Sequence, residues 1–108
     1  MDNNTKLKIR INSLKRLKKE LLYYKNELIE NEKKLNNMII EKKDKYDIKK
    51  QQEIVDETKL MIPNVKKRLQ DRIDGFEIFI QDAQFDLNLD EETMKEINNV
   101  SEILKEEH

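Results

Sequence analysis

The chain has 108 residues, 42% charged and 36% hydrophobic, with one glycine, one proline and no cysteine, a composition rich in helix formers and poor in what sheets and tight turns need. Without cysteine there is no disulfide, thiolate nucleophile or thiolate metal site, and no apolar run approaches the ~18 residues of a membrane span. The net charge of -1 hides a division: residues 1–50 carry 15 Lys/Arg against 8 Asp/Glu, and residues 51–108 carry 7 against 15. A chain that folds back on itself sets its basic half beside its acidic half. The N-terminal MDNNTKLKIR has no apolar signal region, so a soluble, cytosolic protein of one domain, 1–108, is expected.

In the first segment Leu7, Leu14, Leu21, Leu28 and Leu35 fall every seven residues, with Ile11, Leu17, Tyr24, Met38 and Ile39 partly filling the adjoining seam. Lys18, Lys25 and Glu32 interrupt the second heptad position, so the stripe departs from an ideal zipper. A helix over about 5–42 is predicted, some ~57 Å long at ~1.5 Å per residue. The polar stretch EKKDKYDIKK (residues 41–50) then ends the stripe. Asp44 or Asp47 can cap the next helix, because a carboxylate accepts from its free N–H groups and suits the positive end of its dipole. Asp47 is the favoured cap, with Tyr46 just outside the helix, packing on the neighbouring turn.

The second stripe runs Ile48, Val55, Thr58, Ile62, Val65, Leu69, Ile73, Phe76, Ile80, Ala83, Leu87. Its phase does not reset at Pro63, so one helix over about 48–87 is predicted, bent at the proline rather than broken. Pro63 removes the hydrogen bond to the Lys59 carbonyl, which solvent can satisfy if that side faces water. FEIFI (residues 76–80) alternates like a strand, yet its neighbours keep helical spacing, and Gly75 beside it weakens a helix by ~1 kcal/mol. Asn88 and Glu91 form a capping-box pattern for a third helix over about 89–106, with Met94, Ile97, Val100 and Leu104 as its stripe and Ile103 beside them. The expected fold is all-α: an elongated up-down-up three-helix bundle with a proline-bent second helix and a short third.

YDIKKQ (residues 46–51), Glu53 and Ile54, MIP (61–63), Arg68 and Leu69, preceded by KRL (15–17) and Glu20, resemble the tubulin-binding cofactor A family over nearly the whole chain. The resemblance implies a small cytosolic, cytoskeleton-associated chaperone of three-helix fold. Members bind β-tubulin after its release from the cytosolic chaperonin, hold it out of assembly, and pass it along the other tubulin-folding cofactors towards the αβ heterodimer. It implies no nucleotide, metal or other cofactor.

The residues themselves offer no catalytic constellation. Gly75 is the only glycine, so there is no phosphate loop, and the lone histidine is His108, the last residue. Carboxylates sit on charged faces, without the concave apolar site that general acid–base work needs; no enzyme is expected. Candidate partner-binding residues are Lys15, Arg16, Lys18, Lys19, Lys49 and Lys50, which present positive charge, together with Tyr46, Tyr23 and Ile78. Most of the off-stripe apolar residues, Leu22, Tyr23, Ile29, Ile40, Ile78 and Phe85, are expected at helix boundaries, and any left exposed become contacts for a client. Asp47 and Pro63 are the structural candidates. The alternative is a coiled coil self-associating through the leucine series, since the stripe alone does not separate monomer from homodimer. A basic-zipper nucleic-acid binder is disfavoured: its basic block should precede the leucines, not lie among them.

Overall fold

The structure is a computed structural model that describes residues 2–83, 91, 94–96, 98, 99 and 102. Two long helices dominate, α1 (Asn3–Ile40) and α2 (Lys45–Ala83), and no strand occurs among the described residues. Residues 91, 94–96, 98, 99 and 102, within the expected third helix, are helical. Phe85 and Leu87, and with them Asn88, Ile97, Val100, Ile103 and Leu104 of that helix, lie outside the described residues.

The helix ends follow from their caps. The Thr5 N–H donates to the Asp2 carboxylate at 2.7 Å and the Lys6 N–H to the Asp2 carbonyl at 3.1 Å, so α1 starts two residues earlier than periodicity predicts. The Thr5 N–H holds the exposed Asp2 carboxyl below its ordinary range. This contribution is present above the ordinary carboxylate pKa and disappears as pH falls through the lowered one.

At its other end α1 stops because the chain turns left-handed at Lys42, with φ at 55°. The Lys43 N–H reaches the Met38 carbonyl at 3.0 Å and the Lys42 N–H the Ile39 carbonyl at 3.1 Å, the paired bonds of a Schellman motif. Asp44, not Asp47, then caps α2: its carboxylate accepts from the Tyr46 N–H at 2.8 Å, and its carbonyl from the Ile48 N–H at 3.0 Å. The early cap draws Tyr46 into the first turn instead of leaving it outside. Asp47 becomes an acidic residue of that turn, where it still complements the dipole.

Contacts divide the chain into two compact units, the first comprising Met1–Lys19 and Lys67–His108, the second Glu20–Lys66. In the first unit Leu7, Ile11, Leu14 and Leu17 of α1 and Leu69, Ile73, Phe76 and Ala83 of α2 are buried. Each large side chain removed from water stabilises by about 1.5–3 kcal/mol. FEIFI belongs to the helix: Phe76 is buried, Phe79 and Ile80 half-buried, and Glu77 and Ile78 exposed, a one-sided pattern that alternation would not produce.

In the second unit Leu21, Leu35, Val55 and Val65 are buried, while Leu28, Ile48, Thr58 and Ile62 are half-buried. A polar residue completes this interior. Gln51 is only 3% exposed, and its side-chain amide donates to the Asn31 carbonyl at 3.0 Å and the Asn31 side-chain oxygen at 3.2 Å. A buried amide without partners would cost about 1–3 kcal/mol, so this clamp fixes one register of α2 on α1. Pro63 lies inside α2, which continues through it, and is exposed.

Candidate partner-binding surface

The second unit, Glu20–Lys66, holds only segments of α1 and α2, so within it each helix has one neighbour. Leu22, Tyr23, Ile29 and Ile40, expected mostly at boundaries, are more than half exposed. The boundary expectation assumed two neighbours for every helix. Leu22, Ile29 and Ile40 are seven and eleven residues apart, whole numbers of turns to a close approximation, and share one flank of α1.

The other flank is aromatic. The Tyr23 ring meets Tyr24 edge-on, with centroids 5.3 Å apart. Tyr24 joins Glu57, Thr58, Leu60 and Met61 around a recess of about 420 Å³. Leu60 is 71% exposed, because it lies opposite the buried stripe of α2. Ile54, also exposed, is one turn before Thr58, whose hydroxyl donates to the Ile54 carbonyl at 2.8 Å. Near the start of α2 the exposed Tyr46 ring carries the Lys50 ammonium at 4.6 Å from its centroid, and Lys49 is exposed beside it.

The remaining predicted residues fall in the first unit. Arg16, Lys19 and Ile78 are exposed and Lys18 is half-buried. Lys15 is engaged within the chain, its Nζ 3.2 Å from Glu96. Here Arg10 stacks its guanidinium 4.8 Å from the Phe79 ring centroid. A second recess, of about 410 Å³, is lined by Ile9, Arg10, Ser13, Asp71, Arg72 and Gly75. Among the described residues the buried Ser13 hydroxyl finds no hydrogen-bond partner.

The predicted basic residues thus divide into Lys15, Arg16, Lys18 and Lys19 in one unit and Lys49 and Lys50 in the other. As candidate contacts, sequence reasoning passed over Leu60, Ile54, Met61, Arg10 and Arg72. The usable signal was position around the helix, since Leu60 is half a turn from the stripe that its neighbours define. Among the described residues no group of three His, Cys, Asp or Glu could hold a metal, and no helix is long and apolar enough to cross a membrane. The chemistry on offer is apolar, aromatic and cationic contact.

Known proteins share this fold. The profile of the family described as Tubulin binding cofactor A matches residues 2–106. Tubulin-specific chaperone A of Dictyostelium discoideum is 40% identical over 85 residues, 76% of this chain and 74% of that protein. The human protein of the same name is 42% identical over 64 residues, so the match spans 59% of each chain. Among solved structures, tubulin folding cofactor A from Arabidopsis thaliana superposes with a TM-score of 0.79 at 26% identity, covering 93% of this chain and 96% of its own. RBL2P, described as a beta-tubulin binding post-chaperonin cofactor, gives 0.78 at 30% identity, covering 93% and 98%. Two capped helices with a leucine series turned inward, and a profile that runs almost from end to end, lead to one assignment: the chain belongs to the tubulin binding cofactor A family.

Proposed function

We propose that the protein is a cytoplasmic tubulin-folding cofactor that binds β-tubulin after its release from the chaperonin, holds it out of assembly, and passes it towards the αβ heterodimer. The observation that carries this reading is the family match across residues 2–106, joined by the likeness to a cofactor described as binding beta-tubulin. The surface suits the task. Tyr23, Ile54 and Leu60 leave apolar area open on the second unit, and such area is how a holding protein covers a client's unassembled face. In this reading the chain is an up-down-up three-helix bundle, α2 curves at Pro63, and the short third helix packs on the first unit, where Glu96 meets Lys15. Arg16, Lys18 and Lys19 speed encounter with an acidic client and add little affinity.

Self-association through the leucine series is disfavoured, because Leu7, Leu14, Leu21 and Leu35 are buried within the chain itself. The test is size-exclusion chromatography with light scattering on the purified protein, alone and mixed with β-tubulin released from chaperonin. A stoichiometric complex is expected. A larger self-assembly containing no tubulin would overturn the proposal.

A further inference from the structure

We infer that the recess on the first unit is a carboxylate-binding site that takes an acidic, extended peptide segment of the client, an inference that rests on the client-binding reading above. Its described lining includes two arginines, Arg10 and Arg72, and a single acidic residue, Asp71. Neither arginine has an ion pair among the described residues. Arg10 is instead held over the Phe79 ring, which orients its planar fork while leaving its donors unspent. A planar donor set of this kind matches a carboxylate in bidentate geometry.

The rest of the recess fits a peptide better than a free anion. Ile9 supplies an exposed apolar wall, suited to the side chain next to an acidic residue. Gly75 leaves the opposite wall bare: a Cβ there would meet only the Arg10 guanidinium, at 3.8 Å. Ser13 lines the same recess, and its buried hydroxyl has no hydrogen-bond partner among the described residues. The volume of about 410 Å³ falls within the roughly 300–1,000 Å³ of typical ligand clefts. At about 100° per residue, Arg10 and Ser13 lie some 140–160° around α1 from Lys15, the residue that meets Glu96. The recess therefore opens away from that contact.

The experiment compares wild type, Arg10→Gln/Arg72→Gln and Gly75→Met for binding to β-tubulin and to a labelled synthetic peptide alternating Glu with aliphatic residues, beside the same peptide with Gln for Glu. Circular dichroism and thermal melting of each variant check the fold. The double variant is expected to lose about tenfold or more in affinity for the Glu peptide and most of its salt dependence. Gly75→Met keeps both arginines and fills the recess, and it is expected to weaken the peptide similarly; it also serves if the double variant does not fold. Equal peptide binding by wild type and the folded variants, or equal binding of Glu and Gln peptides, would overturn the inference while a β-tubulin complex left the proposed function standing. Peptide binding that depends on the arginines, without any β-tubulin complex, would keep the site and reject the proposed client.

Discussion

The two units use the same pair of helices in opposite ways. In the first, eight apolar residues of α1 and α2 are buried, including Phe76, while Ile9, Ile78 and Met94 are the large hydrophobic residues exposed among those described. In the second, four apolar residues and Gln51 are buried, while Leu22, Tyr23, Ile29, Ile39, Ile40, Tyr46, Ile54 and Leu60 are exposed. Two helices alone cannot cover apolar residues that point away from their shared seam. Among the described residues the first unit therefore has the larger buried apolar set and the second the larger exposed one; under the proposed function, stability resides in the first and the client meets the second.

The largest expected effect tests that division in the first unit. Leu69 is 1% exposed, and Leu69→Ala should destabilise by about 2–5 kcal/mol through lost transfer energy and the cavity it leaves. Denaturant melting measures the loss, and native-state hydrogen exchange should show slower exchange around Leu69–Phe76 than around Val55–Val65. Faster exchange in the first unit would break the comparison.

A smaller effect belongs to the polar clamp. Gln51→Ala removes the donor to Asn31 and should cost about 1–3 kcal/mol, and a double-mutant cycle with Asn31→Ala separates the side-chain share of the clamp from local repacking. Next comes the reversal: Asp44→Ala should cost about 1 kcal/mol by leaving the Tyr46 N–H unpaired, and Asp47→Ala should cost less. Urea midpoints for the two variants decide which aspartate is the cap. The smallest effect has the opposite sign. Gly75→Ala sets its new Cβ in ordinary van der Waals contact, 3.8 Å from the Arg10 guanidinium, and should gain about 0.5–1 kcal/mol from helix propensity, a gain readable as a higher melting temperature.

How much of this was legible in the sequence depended on the physics behind each feature. Helical period alone places residues on a common face, so the leucine series and the stripe through Pro63 as far as Ala83 fall on buried or half-buried positions as expected, and the helical reading of FEIFI holds. The reversal was legible as a place and not as a geometry. Asp44 and Asp47 offer the same carboxylate, and the choice fell to Asp44 because a Schellman ending at Lys42 and Lys43 leaves it in position to meet the Tyr46 N–H. Gln51 was invisible to a stripe counted in apolar residues, since nothing in a lone glutamine announces that Asn31, twenty residues earlier, will satisfy it. The exposure of Leu22, Ile29 and Ile40 was equally hidden. Period says which residues share a flank, while the number of neighbours a flank receives is a tertiary fact. Of the predicted basic candidates, Lys15 proved to have an internal partner in Glu96, which a reading of local charge could not supply.

The most direct test of the division of labour is binding of β-tubulin by Tyr23→Ser/Leu60→Ser beside wild type, with melting temperature recorded on the same samples. Both side chains are mostly exposed, so the account predicts a melting temperature within a few degrees of wild type and at least tenfold weaker binding. Unchanged affinity with an intact fold would contradict it, and would place the client surface away from the second unit's aromatic flank.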